Sequence, residues 1–399
     1  MRILSIETSC DETAISLVQA DGEFPHATYE ILGNALWSQV DIHREYGGVM
    51  PSVGKREHIN TITPLLEKVI VESELEASEK EPLTEKLTAK LEQTLTREEG
   101  LAQQLVTFHN SYGKFDIDLI AVTSGPGLEP ALWVGVNFAK ALALLWDVPV
   151  VPTNHMEGHI LASIYDVDRD DQLADIEFPA LSLLISGGHT EFILMNDWGH
   201  YKKIGQTLDD AVGEAFDKVA RMLGLPYPGG PEISKHAALA RKRKLPAFHT
   251  FPVPMIGSGD LNFSFSGLKT AVRYAVQDKE LSANDIAAVA RDFEDVVAEV
   301  LRRKSTEAVD QYGAKTLVVG GGVSANREIK RVLETSLLET NPDVTVFFPP
   351  PGLSTDNSIM IALAGHAHAA TALTPEGAKS IQAEGNKKHR KIPIGDQIL

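Results

Sequence analysis

The chain has 399 residues, of which 43% are hydrophobic, so it is long enough for about two domains with sizeable buried cores. The single cysteine, Cys10, excludes an internal disulfide framework and predicts a reducing compartment. The net charge of −18 disfavours general nucleic-acid binding, although basic stretches occur at 241–244 and 387–391. The N-terminus lacks a secretory pattern, and no run reaches the roughly 20 apolar residues of a membrane span, so a cytoplasmic protein is predicted.

The first half of the sequence predicts alternating strands and helices. Residues 1–20 read as two strands around the polar tip ETSCDET, and residues 55–71 have helical periodicity. A buried strand at 117–128 runs into a Gly-Pro turn, and a long apolar helix follows over 131–145. A short strand at 148–154 then leads into a helix that carries two histidines.

The second half repeats this alternation. Residues 180–195 predict a hairpin with a glycine tip, and helices follow at 207–224 and 283–312. Units of strand, loop and helix then occupy 314–334 and 344–370. Because a hairpin opens each half, we predict an α/β fold of two lobes with mixed sheets and an interlobe cleft lined by the hairpin tips.

An unusual segment at about 72–104 interrupts the first half. It is rich in Glu and Lys and contains no aromatic residue. Leucines recur at every fourth position, which places them on one face of a helix. We predict an inserted helix or helical hairpin that packs on the first lobe and has no catalytic role. The leucines are Leu83, Leu87, Leu91 and Leu95.

The segment TNHMEGHI places His155 and His159 on one face of a helix, where both can bind one metal ion. Zincin proteases use H-E-x-x-H, with the Glu beside the first His as general base. Here Glu157 is shifted by one position, about 100° around the helix, and points away from the histidines. Asp356 in STDN is the candidate third ligand, with a helix N-cap as its alternative role. Two histidines and one carboxylate leave coordination positions open for catalysis.

Two glycine loops offer backbone N–H groups to an anion. SGGHT at 186–190 suits a phosphate or a developing oxyanion, and GGGVSAN at 320–326 suits a nucleotide at a helix start. Neither loop is a dinucleotide fingerprint or a Walker A motif, and tight turns require glycine in any case. Asp217 offers acceptors for ribose hydroxyls, while Asp11 and Glu12 at the first hairpin tip are candidate bases or water-mediated metal partners. Solvated or turn-forming roles are their alternatives.

Nine motifs in order carry a resemblance that covers roughly 1–70 and 115–370: IETSCDET, GPGL, NHMEGHI, SGGHT, DDAVGEAFDK, YPGG, NFSFSGLKTA, GGVSAN and STDN. Together they resemble the TsaD family, the tRNA adenosine threonylcarbamoyltransferases once labelled O-sialoglycoprotein endopeptidases. The resemblance implies the two-lobed actin-like and sugar-kinase-like ATPase fold, or ASKHA fold. The implied reaction moves a threonylcarbamoyl group from threonylcarbamoyl-AMP to the exocyclic amine of the adenosine 3′ of the anticodon, in tRNAs that read ANN codons.

The resemblance also implies the site residues. One divalent metal ion, iron(II) with zinc as the alternative, would be bound by His155, His159 and Asp356. The resemblance leaves the general base unassigned; from their place at the hairpin tip, Asp11 and Glu12 are predicted as catalytic residues, one of them as general base. The acyl-adenylate would be held by Leu184, Ile185, Ser186, Gly187, Gly188, Asp217, Gly230 and Asn326.

The implied partners are tRNA, threonylcarbamoyl-AMP, a smaller actin-fold paralogue and a P-loop ATPase subunit, with a homodimer considered for the isolated chain. Because the chain is acidic, tRNA would need a local basic strip or the partner subunits. We assign residues 1–152, including the insertion, to an N-terminal actin-like lobe. Residues 153–366 form the C-terminal lobe with most of the metal and nucleotide site, and residues 367–399 are expected to pack back on the first lobe.

Two positions depart from the family pattern. Ser52 stands where the family often has the acidic residue of VPELASR, and Ser234 stands where many members carry an Asp near the ribose. These replacements put the corresponding partner and ribose contacts in doubt. The insertion is hypothesised to alter how a partner docks on the N-terminal lobe.

Three other functions stay open. A metallopeptidase is disfavoured by the position of Glu157. A small-molecule kinase or ATPase on the same fold would need a catalytic Asp and Mg²⁺ at the phosphates. A non-catalytic scaffold in a tRNA-modifying complex is disfavoured because each predicted metal and nucleotide position has the expected residue type.

Overall fold

The computed structural model describes residues 1–79, 82–169 and 171–385, so the basic stretch 387–391 lies outside the described residues. The chain divides into two compact units. The first comprises residues 1–174 with 356–385, and the second comprises residues 175–355. This division differs from the boundaries predicted at 152 and 366, and it assigns the helix with the two histidines to the first unit.

Strands and helices alternate along the described residues. The strands are β1 (Arg2–Glu7), β2 (Glu12–Asp21), β3 (Thr28–Ser38), β4 (Ala77–Glu79), β5 (Lys114–Phe115), β6 (Leu119–Gly125), β7 (Val150–Asn154), β8 (Tyr165–Asp166), β9 (Gln172–Leu173), β10 (Ala180–Ile185), β11 (Thr190–Asp197), β12 (His200–Gln206), β13 (Thr316–Gly320) and β14 (Thr345–Phe347). The α-helices are α1 (Val40–Arg44), α2 (Pro51–Glu72), α3 (Glu85–Thr94), α4 (Leu101–Tyr112), α5 (Glu129–Trp146), α6 (His155–Ser163), α7 (Val212–Met222), α8 (Gly229–Arg243), α9 (Ser266–Val276), α10 (Ala283–Tyr312), α11 (Arg327–Thr340) and α12 (Ile359–Ala367). Short 3-10 helices span Gly322–Ala325, Ala369–Thr371 and Gly377–Ser380.

The first unit is built on a seven-stranded sheet with the order β7-β6-β1-β2-β3-β9-β8. β1 pairs antiparallel with β2 and parallel with β6, so Ile3 lies opposite both Val18 and Leu119. Buried apolar side chains on β1 and β2 pack with α2 and α5 to form the core. On β2, Ser16 hydrogen-bonds to Ser358, the residue before α12. Helices therefore cover both faces, which explains why β1 is buried at nearly every position.

The second unit repeats the same strand pattern in a five-stranded sheet, β12-β11-β10-β13-β14. Three antiparallel strands are followed by two parallel ones, just as β3-β2-β1-β6-β7 are arranged in the first unit. Its core is formed by the sheet with α7, α8, α9, α10 and α11. The predicted α/β fold class with mixed sheets is confirmed.

In both units a glycine loop packs against the end of a hairpin strand. A Cβ on Gly127, after β6, would lie 2.7 Å from the carbonyl oxygen of Ser9. A Cβ on Gly321, after β13, would lie 2.5 Å from the carbonyl oxygen of Ile185. Real Cβ atoms do not approach a backbone oxygen so closely, so each loop requires glycine to reach its hairpin.

The segment predicted as an insertion contains helix α3, which begins at the N-cap Thr84. Leu91 and Leu95 are buried in the core of the first unit, and Leu83 and Leu87 pack against it. The leucine stripe is therefore the face that attaches the segment to the first unit. Among the described residues, no helix has both the length and the apolar character needed to cross a bilayer.

Residues after α12 return to the sheet of the first unit. Leu373 pairs with Val150 of β7, and the Glu384 N–H donates to the Ser124 carbonyl at 2.6 Å. The buried Lys140 ammonium of α5 donates to the Ile381 carbonyl at 2.8 Å. The described part of the C-terminal segment is thus tied to the first unit by backbone and side-chain hydrogen bonds.

Candidate functional site

The first unit brings the three predicted metal ligands together. Helix α6 begins at His155, where the Asn154 side chain caps it by accepting hydrogen bonds from two backbone N–H groups. One helical turn separates His155 from His159, and their ring centroids lie 4.7 Å apart. Asp356 precedes α12, and its Oδ1 lies 3.1 Å from His159 Nε2 and 3.4 Å from His155 Nε2. One possible ligand atom from each residue lies within 4.8 Å of the other two.

The donor set fits a divalent metal ion. Two imidazole nitrogens and one carboxylate oxygen converge, which is the combination found in sites that keep coordination positions open. Both histidines are buried and Asp356 is partly buried, so the donors are held in a fixed arrangement. This donor set is typical of non-haem iron(II) and also accepts zinc.

The charges at this cluster compensate one another. Burial by itself would raise the pKa of Asp356, but the adjacent His155 and His159 hold it far below its usual range. Burial would lower the pKa of His155, but the charges of Asp356 and Glu7 raise it well above its ordinary value. The two carboxylates, Asp356 and Glu7, therefore stabilise positive charge at His155.

Two contacts of His155 come from residues that the sequence did not single out. Glu7 Oε2 lies 3.0 Å from His155 Nδ1, and Ser9 Oγ lies 3.2 Å from the same nitrogen. Glu7 ends β1 and Ser9 follows it in the polar tip, so both are far from His155 in sequence. No local motif signals this contact, because it depends on how β1 lies beside α6.

Glu157 is buried and makes a hydrogen bond of 2.8 Å to His368 Nε2. This hydrogen bond raises the pKa of His368. A zincin base must instead activate water on the metal. The contact to His368 agrees with the orientation predicted from the helical spacing.

The polar tip between β1 and β2 carries the two candidate bases. Burial, with Asp11 and Asp356 nearby, raises the pKa of Glu12 well above its ordinary value. Ser38 Oγ donates to Glu12 Oε1 at 3.1 Å. A carboxylate whose pKa is moved towards neutrality is a better proton acceptor for catalysis. Asp11 lies beside it and is buried.

A buried histidine is hydrogen-bonded to residues of this polar tip. His58 of α2 is fully buried, its Nε2 lies 3.1 Å from the Cys10 carbonyl, and its Nδ1 lies 2.8 Å from Thr13 Oγ1. With Nε2 protonated, the ring donates to Cys10 and accepts from Thr13. Burial lowers the pKa of His58 from 6.5 to about 4, so the ring is neutral at physiological pH.

The stability of the protein should therefore fall as the pH drops from 6.5 towards about 4. In that window the unfolded chain binds a proton at His58 that the folded chain excludes, so acid favours unfolding. The loss attributable to His58 is at most about 3 kcal/mol. Urea unfolding of wild type and His58→Asn at about pH 7 and about pH 5 measures it. The variant should lose less stability between these pH values, and equal losses would contradict the prediction.

In the second unit, SGGHT forms the tip between β10 and β11. Ser186 Oγ accepts from the Gly188 N–H at 3.3 Å and from the His189 N–H at 3.0 Å, so these amides are already bonded. At Gly187, an added Cβ would meet no atom within 4 Å. The backbone of Gly187 thus offers open space to a ligand. Leu184 and Ile185 are fully buried in β10 and support the tip.

Asp217 and Gly230 lie where α7 meets α8. Asp217 Oδ1 accepts from the Gly229 N–H at 2.7 Å, which fixes the start of α8. At Gly229 a Cβ would lie 2.6 Å from Asp217 Cα, whereas at Gly230 the space is open. Asp217 therefore positions the open glycine, a role that sequence reasoning did not assign to it.

The Asn326 side chain uses all its hydrogen-bonding capacity within the protein. Oδ1 caps α11 by accepting from two backbone N–H groups, at 3.0 Å and 2.9 Å. Nδ2 donates to Ser234 Oγ at 2.8 Å and to Glu294 Oε1 at 2.7 Å. Asn326 thus holds the GGGVSAN loop in place, and a direct substrate contact, as predicted, would replace one of these bonds.

A family model described as TsaD, tRNA N6-adenosine threonylcarbamoyltransferase, matches residues 30–81 and 102–363. The stretch 82–101, which includes α3, lies between the matched ranges. Residues 82–101 therefore lie within the segment at about 72–104 that was predicted to be an insertion.

Three solved structures are similar to the chain. Full-length HypF in the phosphate- and nucleotide-bound form has a TM-score of 0.50 and 10% identity, over 92% of this chain and 46% of that chain. HypF from T. kodakarensis has a TM-score of 0.48 and 13% identity, over 70% and 45%. A ROK hexokinase from Thermus thermophilus has a TM-score of 0.43 and 11% identity, over 93% and 100%. The chain thus spans less than half of either HypF chain, and the likeness to full-length HypF concerns the fold alone.

Proposed function

The chain belongs to the TsaD family of tRNA N6-adenosine threonylcarbamoyltransferases, and we propose that it moves the threonylcarbamoyl group of threonylcarbamoyl-AMP to the exocyclic amine of the adenosine 3′ of the anticodon, in tRNAs that read ANN codons. Membership of this family assigns it to the acyltransferases of tRNA modification. The observation that carries the finer proposal is the convergence of His155, His159 and Asp356.

The reaction needs an activated acyl group. The exocyclic amine of adenine is a poor nucleophile because its lone pair is delocalised into the ring. Its nitrogen attacks the carbamoyl carbonyl carbon, the new C–N bond forms, and the bond to the AMP phosphate oxygen breaks. One amine proton passes to a base, and AMP leaves as the phosphate anion. Glu12, whose pKa is raised by burial, and the adjacent Asp11 are the two candidate bases.

We assign the metal to the ligands His155, His159 and Asp356, with one ion per chain and iron(II) ahead of zinc. When bound, the ion supplies Lewis-acid polarisation of the acyl carbonyl. The protein's part is to hold the three donors convergent, with both histidines buried, so that they would bind the ion in a fixed position.

We assign the AMP part of the substrate to the second unit. The open backbone at Gly187 and Gly230 leaves room for phosphate and ribose. Asp217 and Asn326 hold the loops that carry these glycines and the GGGVSAN amides. The Ser234 hydroxyl accepts a hydrogen bond from Asn326, so its own proton is available for an acceptor on the ligand. The Asp that many family members carry at this position would instead accept a hydrogen bond from the ribose.

We propose that tRNA is bound with help from partner subunits, a smaller actin-fold paralogue and a P-loop ATPase, in the cytoplasm. The basic stretch 241–244 supports this view because part of its charge is already neutralised. Arg241 pairs with Glu294 and Asp295, and Arg243 donates to Asn284 at 2.9 Å. The net charge of −18 opposes binding of a polyanion, so we assign the main phosphate contacts to the partner subunits.

A transfer assay tests the proposal. Purified protein is incubated with radiolabelled threonylcarbamoyl-AMP and unmodified ANN-decoding tRNA, with and without the partner subunits. We expect label on the tRNA and none on a control tRNA with guanosine at the target position, which lacks the adenine amine. If no label appears under any condition while the adenylate still binds, the transferase proposal is overturned in favour of a scaffold.

A further inference from the structure

Glu7 is a buried carboxylate to which the proposed reaction assigns no role. It ends β1, and its side chain is 0% exposed. Oε2 accepts from the Thr123 hydroxyl at 2.6 Å and lies 3.0 Å from His155 Nδ1. Oε1 accepts from the Ser9 N–H. Each oxygen therefore has a partner, and the carboxylate is held in one orientation by β1 and β6.

The orientation of the Glu7 carboxylate determines which ring nitrogen of His155 can bind a metal ion. The ring turns Nδ1 towards Glu7 and Nε2 towards Asp356, at 3.0 Å and 3.4 Å. A carboxylate can only accept, so when an ion takes the Nε2 lone pair, Nδ1 keeps its proton and donates it to Glu7. Metal-binding histidines commonly donate their second N–H to a carboxylate in this way.

The two histidines of the proposed metal site differ in the hydrogen bonding of their Nδ1 atoms. Within the part of the chain that the structure describes, the buried Nδ1 of His159 has no hydrogen-bond partner. The two ligands therefore differ: the ring of His155 is held in place by the contact between its Nδ1 and Glu7.

We propose that Glu7 is a positioning residue of the metal centre, which fixes the tautomer and ring orientation of His155 so that Nε2 binds the ion. This inference rests on the proposed metal site. Loss of such a partner lowers metal affinity by roughly 10- to 100-fold in other proteins, and we expect a loss in that range here.

Glu7→Gln is the sharpest variant because it keeps the shape and changes one acceptor into a donor. If the new NH₂ takes the Oε2 position, it favours the Nε2–H tautomer of His155, which blocks the metal-binding nitrogen. If the NH₂ takes the Oε1 position, it faces the Ser9 N–H, and two donors meet. Neither orientation satisfies all three neighbours.

Glu157→Gln is the matched control. Glu157 is also buried and also bonds to a histidine, but its partner is His368 rather than a metal ligand. Zn²⁺ affinity is measured by competition with a chromophoric chelator for wild type, Glu7→Gln, Glu157→Gln and His155→Ala. We expect weaker binding in Glu7→Gln, wild-type binding in Glu157→Gln, and the greatest loss in His155→Ala.

The outcomes separate the two proposals. Equal affinity of wild type and Glu7→Gln would overturn the role of Glu7 alone, and absence of Zn²⁺ binding by wild type would overturn the metal centre as well. A second readout does not depend on the folding of a variant: ¹⁵N NMR of the Zn²⁺-loaded wild type should find the His155 proton on Nδ1. A proton on Nε2 would overturn the proposal.

Discussion

Asp356→Ala is expected to remove the bound metal and to lower the rate of threonylcarbamoyl transfer by about 10³-fold, which corresponds to roughly 4 kcal/mol of lost transition-state stabilisation. Asp356 is the single carboxylate in the proposed ligand set, and its Oδ1 lies within 3.4 Å of the Nε2 atoms of both His155 and His159. Without it the two imidazoles lack the negative charge that offsets a divalent cation. Metal content per chain and the single-turnover transfer rate measure the effect.

Asp356→Asn is the companion variant, since it keeps the size of the side chain and removes its charge. It should bind metal more weakly than wild type and retain the fold, as judged by circular dichroism. Stoichiometric metal and an unchanged transfer rate in Asp356→Ala would rule out the proposed ligand set.

Gly321→Ala is expected to destabilise the second unit by about 3 kcal/mol and to abolish binding of threonylcarbamoyl-AMP. Gly321 has φ 86° and ψ 164°, a region of backbone conformation that is essentially reserved for glycine. In addition, the new Cβ would lie 2.5 Å from the Ile185 carbonyl oxygen, so the loop must move away from the hairpin. The displaced loop would carry Asn326 with it and break the cap of α11.

Gly322→Ala is the control for this prediction, because its Cβ would meet no atom within 4 Å. Thermal unfolding and calorimetric titration with the acyl-adenylate compare the two variants. A melting temperature of Gly321→Ala equal to that of Gly322→Ala would show that the loop tolerates a side chain, and the argument from backbone strain would fail.

Much of the fold could be predicted from periodicity. The hairpin at 1–20 corresponds to β1 and β2, the apolar helix at 131–145 to α5, and the helix at 283–312 to α10. Such segments are predictable because burial of one face imposes a period on the sequence. The leucine stripe is a local example, since Leu91 and Leu95 are buried on one face of the segment that holds α3.

The site was predictable only in part. The spacing of His155 and His159 placed them on one face, since four residues make about one helical turn. Asp356 lies 197 residues from His159, so no local pattern joins it to the pair; the STDN motif made it a candidate ligand, and the family resemblance supported that choice. The contacts of Glu7 and His58 were not found, because an isolated buried acid or histidine has no periodic pattern.

By itself, the sequence determined many of the elements, the helical geometry of the His pair and, through its ordered motifs, the family. The tertiary structure alone decided that the histidines belong to the first unit, that Glu7 stands behind His155, and that Asn326 is occupied by the cap of α11. The physical reason is the range of the forces involved. Periodicity reports local burial, whereas hydrogen bonds between distant segments depend on which strands and helices lie side by side, and that is settled only when the whole core packs.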